Sequence, residues 1–473
     1  MMRVAIFVAL TFAAAAFAQE RADRLPPVVG QALAQAGIPL SATGIYVHEA
    51  GAEQPVLALG ESRALNPAST IKLLTTFAAL DQLGPAYRWS TEVYAAAPLQ
   101  GDVLAGDLVL RGGGDPRLTL ENFWLMLRNL RARGLREIRG DLVLDRSFFA
   151  GTEGTDPGGF DNEPSRPYNT QPDALLVNFK SFRLGFVPDG ARRAVNIIVE
   201  PALPQLQIVN NLLPTADACG DWVEKLKLSA SGDATSARLV FTGSFPLACG
   251  EKERHYSLLA HPQYVHALFS LLWRELGGSF SGGVRDGAVP SAAKPLLVNA
   301  SQPLADVVRD INKFSNNVMA RQLYLTLGAA ALGAPAAADK SARAIAQWLD
   351  TRRLSLPELV LENGSGLSRA ERISARGLGQ LLLQASRSAV MPEFVASLPL
   401  VAVDGTMRKR LHGADIAGQA HIKTGSLAGA RAIAGYVLDA KGRTVIVVFL
   451  VNHARAGDAI AAQDALLKWV YSR

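Results

Sequence analysis

Pro67-Ala68-Ser69-Thr70-Ile71-Lys72 leads into an apolar run in which Leu73, Leu74, Phe77, Ala78 and Leu80 recur at helical spacing. The spacing predicts a serine at the first turn of a helix and a lysine three residues on, projecting from the same face. The lysine amine can then reach the hydroxyl. A serine hydroxyl is a poor nucleophile until a base takes its proton, and a lysine neutralised by burial and nearby cations can be that base. Alone the tetrad says little. Ser-x-x-Lys arises by chance about once or twice in a chain of this size, and a helix cap followed by a solvated lysine reads the same way.

Two further segments give it weight. Ser315-Asn316-Asn317 follows Lys313 and Phe314, and Lys423-Thr424-Gly425 follows the alternating stretch Ala420-His421-Ile422. Ser-x-x-Lys, a Ser-Asp-Asn-type element and Lys-Thr-Gly form the combined signature of β-lactamases and penicillin-binding proteins. All three occur here in that order. Ser69 and Lys72 then supply nucleophile and base, and Ser315 relays the proton to a leaving amine. Asn317 offers a carboxamide to a substrate amide. Lys423 and Thr424 meet a substrate carboxylate, and Gly425 leaves room for a substrate backbone along the strand. The Ser69 and Ser426 N–H groups complete an oxyanion pair. The chemistry is acyl transfer through a serine ester.

The chain of 473 residues suffices for two or three domains. Its 49% hydrophobic and 19% charged residues describe a globular protein. The net charge of +6 comes from scattered rather than clustered Lys and Arg, so no nucleic-acid surface is indicated. A basic surface suits an anionic polymer or peripheral contact with a membrane. Residues 1–18 read as an export signal, with Arg3, an apolar core over 4–12 and Ala16-Phe17-Ala18 before the cleavage point, so the mature chain would start at Gln19 in a periplasmic setting. No later stretch reads as a transmembrane anchor. The two cysteines, Cys219 and Cys249, are expected to form a disulfide in an exported chain. Neither a metal nor another cofactor is implied, because no His-Glu-x-x-His or tight ligand cluster is present.

Strand patterns at 43–47 and 56–59 precede the Ser69 helix. Short β runs at 91–94, 107–110, 141–144 and 195–199 follow, separated by turns such as Gly112-Gly113-Gly114-Asp115-Pro116 and interrupted by a helix over 120–133. Helical patterning resumes at 266–276 and dominates to about 398. Lys423 lies on a strand, 432–438 and 444–451 form a hairpin, and an amphipathic helix over 459–471 closes the chain. The expectation is an α+β fold: an antiparallel sheet flanked by helices, with an all-helical part beside it, built from 19–90 and 254–473. A β-rich insertion over 91–253, divided into two small domains, interrupts it.

These motifs, together with Tyr168-Asn169 and Ser426-Leu427, resemble the class C low-molecular-mass penicillin-binding proteins, the D-alanyl-D-alanine carboxypeptidase/endopeptidase family. The resemblance implies a penicillin-binding, serine β-lactamase-like domain that acts on peptidoglycan stem peptides and is acylated by β-lactam antibiotics. It also implies an aspartate from the insertion that meets the amine end of the stem peptide. Asp145, in Leu144-Asp145-Arg146-Ser147, is the corresponding position, and a strand-end turn residue is its alternative. Asn363-Gly364-Ser365-Gly366-Leu367-Ser368 and Asp404-Gly405-Thr406-Met407 also resemble family segments, with no catalytic role assigned. A His-based serine protease lacks support: there is no Gly-x-Ser-x-Gly elbow, and none of the seven histidines, His421 included, has a distinctive context. The remaining rival is a catalytically idle murein-binding or scaffolding protein.

Overall fold

The computed structural model describes residues 25–150 and 158–473; the expected export signal and its cleavage point lie outside the described residues. The chain forms two compact units, one from residues up to Tyr87 joined to Pro303–Arg473, the other Arg88–Gln302.

The first unit is built on a five-stranded antiparallel sheet of strands β1 (Thr43–Glu49), β2 (Leu57–Leu59), β3 (Ala420–Leu427), β4 (Ala430–Leu438) and β5 (Thr444–Asn452), in the order β3-β4-β5-β1-β2. Strands from the two ends of the chain meet at one seam: β1 pairs with β5 from Thr43↔Val451 to Glu49↔Val445. β4 and β5 are buried on both faces, which is why Val445 to Val451 reads as an unbroken apolar run instead of an alternation. One face packs on helices Pro27–Gln35 and Ile460–Tyr471 through Val29, Leu33, Ile45, Val447, Phe449, Leu466 and Val470. On the other face lies helix Ala375–Ser386. A Cβ at its Gly379 would stand 2.2 Å from the Tyr46 ring, and Tyr436 donates its hydroxyl to Leu382 O at 2.7 Å.

The all-helical part surrounds helix Lys72–Leu83, every residue of which from Lys72 to Leu80 is buried. Phe77 packs against the rings of Trp348 and Phe394. Asn312 of helix Leu304–Phe314 donates to Thr76 Oγ1 and Ser397 Oγ at 3.2 and 2.9 Å, so its carboxamide nitrogen joins three elements inside this helical layer.

The second unit ends later than the sequence pattern suggests, at Gln302 instead of 253. Helix His261–Glu275 presents Val265, Leu268, Phe269, Leu272 and Trp273 to the same core as Leu108, Phe123, Met126 and Leu142. Strands Val284–Asp286 and Leu297–Ala300 pair with Leu142–Asp145 and Ser90–Ala95. Amphipathicity reveals that a helix buries one face, not which core receives it. Within this unit a second hydrophobic cluster gathers Phe182, Phe186, Phe241, Phe245 and Tyr256, with the disulfide Cys219–Cys249 at its margin.

Candidate active site

Ser69 does not open the α-helix directly. It lies in a 3-10 turn, Ala68–Ile71, and the α-helix starts at Lys72. The turn is held from three sides. Asn66 Oδ1 accepts the Ala68 N–H at 2.8 Å, while the Asn66 backbone is clasped by Asn452 at the end of β5, N–H to Oδ1 at 2.6 Å and O from Nδ2 at 3.0 Å. Asn66 Nδ2 donates to Ser368 O at 2.8 Å, tying the turn to the 362–371 loop. Two glycines press on it. A Cβ at Gly366, where φ is +82°, would stand 2.1 Å from Ala68 O, and one at Gly425 of β3 would stand 2.7 Å from Pro67 O and 3.0 Å from Ser69 N. Gly425 therefore brings the edge strand against the nucleophile turn. Ala68 itself adopts φ +45°, a left-handed conformation unusual for alanine that the surrounding contacts enforce.

Lys72 is fully buried, and its Nζ donates to Ser69 Oγ at 3.0 Å, to Asn317 Oδ1 at 2.6 Å and to the Ser365 carbonyl. Burial pushes its pKa well below the usual lysine range; Lys423 and Arg321 press the same way and Glu371 opposes them. Burial favours the neutral amine, and with its two N–H bonds directed at Asn317 Oδ1 and the Ser365 carbonyl, its lone pair faces Ser69 Oγ.

Ser315 and Asn317 owe their positions to a helix junction. Helix Leu304–Phe314 ends at Ser315, which caps it in the left-handed region (φ +56°). Asn316 caps the next helix, Asn317–Leu332, by accepting the Met319 N–H at 3.0 Å. The junction thus points Ser315 and Asn317 from adjacent helix ends. Ser315 Oγ accepts from Lys423 Nζ at 2.7 Å, and Lys423 also donates to Thr424 O at 2.8 Å. Lys423 is fully buried, which lowers its pKa to about 7. The Ser315 hydroxyl is thus paired with Lys423, and Lys72 is shared by Ser69 and Asn317. Asn317 Oδ1 is thereby taken by Lys72.

β3 lies at the edge of the sheet. Among the described residues, backbone bonds from the 399–401 segment, Val401 N to Ala420 O and Ile422 N to Pro399 O, occupy that edge as far as Ile422. Thr424 and Ser426 follow, half-buried and exposed respectively. The Thr424 and Thr406 hydroxyls are 2.7 Å apart, and Lys313 clamps Asp404 at 2.6 and 2.9 Å, fixing the 404–407 turn beside the strand. His421 sits half-buried on β3 outside this network. Asp145 belongs to the second unit. It is 5% exposed, with Ser147 N and Oγ and Val289 N all donating to its carboxylate, the pattern of a strand-end turn.

Sequence reading passed over the Ser365 carbonyl, Glu371, Arg321 and the Lys313–Asp404 pair. The segments 363–368 and 404–407 stand out only as family-like turns with no role assigned, and Glu371 and Arg321 have no local signature.

The model of the D-Ala-D-Ala carboxypeptidase 3 (S13) family matches residues 28–472. The chain is 29% identical over 445 residues to a D-alanyl-D-alanine carboxypeptidase of an Actinomadura species, covering 90% of this chain and 80% of that protein. It is 25% identical over 393 residues to the D-alanyl-D-alanine carboxypeptidase DacB of Haemophilus influenzae, covering 83% and 81%. Among solved structures, penicillin binding protein 4 of Haemophilus influenzae superposes with a TM-score of 0.77 at 23% identity, over 94% of this chain and 99% of that one, which supports the fold. With a family match over nearly its whole length, an α+β fold shared with that structure, and a serine–lysine pair in bonding contact, the chain belongs to the D-Ala-D-Ala carboxypeptidase 3 (S13) family of class C low-molecular-mass penicillin-binding proteins, serine-type hydrolases of peptidoglycan.

Proposed function

We propose that Ser69 is the residue acylated by the D-Ala-D-Ala end of a stem peptide and by β-lactams, with Lys72 as its base. The observation that carries this is the 3.0 Å contact between Ser69 Oγ and a lysine amine with no solvent exposure. Lys72 takes the hydroxyl proton as Oγ attacks the scissile carbonyl. The developing oxyanion sits between the N–H groups of Ser69 and Ser426. Ser315, bonded to Lys423, passes a proton to the departing D-alanine amine. Lys423 and Thr424 hold the terminal carboxylate, and the Asn317 NH2 group binds the amide carbonyl of the preceding residue. The uncovered part of β3 lets the peptide add as an extra strand. The proton that Lys72 took from Ser69 leaves with the D-alanine amine by way of Ser315, so Lys72 is neutral again when water attacks the ester; it accepts the water proton and returns it to Ser69 Oγ as the ester breaks. Cleavage of D-Ala-containing crosslinks, a D,D-endopeptidase action, needs the same groups.

An exported, periplasmic enzyme fits these substrates; among the described residues no helix is long and apolar enough to cross a membrane. The test is mass spectrometry of the protein treated with a penicillin. The adduct is expected on the peptide that contains Ser69. An adduct on Ser315 overturns the assignment, and no adduct favours an idle murein-binding protein.

A further inference from the structure

Glu371 is fully buried, yet it lies on none of the three sequence motifs. Its Oε1 accepts the backbone N–H groups of Glu362, Asn363 and Gly364 at 3.3, 3.0 and 2.8 Å. That turn delivers two carbonyls to the nucleophile helix, Gly364 O to Thr75 Oγ1 at 2.7 Å and Ser365 O to Lys72 Nζ. The loop is knitted internally as well: Ser368 Oγ accepts from Glu371 N at 3.0 Å, and Asn363 Oδ1 accepts from Ser365 N and Oγ at 3.0 and 2.7 Å. One carboxylate therefore sets the backbone that aims the base.

The second carboxylate oxygen, Oε2, has no hydrogen-bond partner among the described residues, and neither do Nε and Nη1 of the buried Arg321. Arg321 projects from helix Asn317–Leu332 one turn beyond Asn317. The charges that face Lys72 are thus Lys423 from β3, Arg321 from that helix and Glu371 from the loop, with Glu362 acting on Arg321 in turn. Glu371 is the one anion among the three that act on Lys72 directly.

We propose that Glu371 is a positioning residue for acylation: it fixes the 362–365 turn whose Ser365 carbonyl orients Lys72, and its charge, opposed by that of Arg321, sets the field in which Lys72 gives up its proton. The inference rests on Lys72 being the base. The two parts of the role separate by substitution. Glu371→Gln keeps an oxygen for the three N–H donors and removes the charge. Glu371→Asp keeps the charge and withdraws the oxygen from the turn. Arg321→Gln removes the opposing cation.

The signs follow from electrostatics. An anion near Lys72 favours its protonated form, and a cation disfavours it. Lys72 must be neutral to act, so the acylation rate rises with pH through its titration. Without the Glu371 charge that rise moves to lower pH; without the Arg321 charge it moves to higher pH. A shift of about half to one pH unit changes the rate about 3- to 10-fold at a fixed pH on the rising limb.

The experiment measures the second-order rate of acylation by one penicillin against pH, for wild type and the three variants, with the melting temperature of each. Opposite displacements of the rising limb in Glu371→Gln and Arg321→Gln are expected. Glu371→Asp should keep the wild-type limb while its plateau falls about tenfold or more, as for a misaimed base. General structural damage lowers plateaux and cannot move two limbs in opposite directions. Limbs at the wild-type pH in both charge-removing variants overturn the inference while leaving Lys72 as base. A wild-type rate with no rising limb, combined with undiminished acylation by Lys72→Arg, overturns the base assignment itself.

Discussion

Gly366→Ala should disable the nucleophile without touching any group that reacts. A Cβ at this position would stand 2.1 Å from Ala68 O, 2.4 Å from Ala68 C and 2.7 Å from Ser69 N, all backbone atoms that cannot rotate away. The turn would have to retreat by about 1 Å to restore a tolerable contact. Two costs add. Alanine at φ +82° costs about 1–2 kcal/mol, and the overlap about 1–3 kcal/mol. Relief is hindered because Asn66 and Asn452 hold the same turn from the sheet. A displacement of about 1 Å at a reacting atom is worth on the order of 10² in rate. The assay is the acylation rate with a fluorescent penicillin, read beside the melting temperature. Gly413→Ala serves as the control, since Gly413 also has positive φ (+72°) but nothing lies within 4 Å of an added Cβ. That variant should lose stability through its backbone alone and acylate at the wild-type rate. If Gly366→Ala acylates within about threefold of wild type, the close approach of loop and turn does not set Ser69 geometry.

Lys72→Arg should abolish acylation, by on the order of 10³-fold or more, because a guanidinium cannot give up its proton at working pH; rates within about tenfold of wild type would refute a lysine base. Lys423 is charged below about pH 7 and neutral above it, so kcat/KM for substrates ending in a carboxylate should fall as pH rises through that value. In Lys423→Arg part of the activity should survive and the alkaline fall should vanish; a fall retained there assigns it to another group. Asp145→Ala strands three donors, so it should cost about 1–3 kcal/mol in unfolding free energy and depress stem-peptide and penicillin reactions together. A selective loss on stem peptides at unchanged stability would instead establish recognition of their amine end.

The parts of the site legible in the sequence are those set by local spacing. A helical repeat places Ser69 and Lys72 one above the other, and strand alternation puts Lys423 on the inner face while Thr424 and Ser426 take the outer one. The helix junction behind Ser315 and Asn317 was readable only as a motif, because its left-handed cap is imposed by two packed helices. The Ser365 carbonyl is a backbone atom and carries no residue type to notice. Glu371 and Arg321 look like surface charges in the sequence, and only the packing of three elements buries them. The limit of the second unit was misplaced for a similar reason: helix His261–Glu275 has a clear apolar face, and its choice of core depends on strands far away in the chain.

The seam between β1 and β5 bears on the order of assembly. β1 must wait for β5, about 400 residues later, and a bare chain would close that loop only against a large entropic cost. The 88–302 unit has cores of its own, and the Leu304 N–H to Tyr87 O and Ala305 N–H to Pro85 O bonds fasten the chain leaving for it beside the chain returning from it. Asn452, which clasps the Ser69 turn, is the last residue of β5. A ribosome that has released the Ser-x-x-Lys segment has therefore not yet released an enzyme: the clasp on the nucleophile turn arrives only with the last strand, and of the α-helices only the closing one, Ile460–Tyr471, follows it.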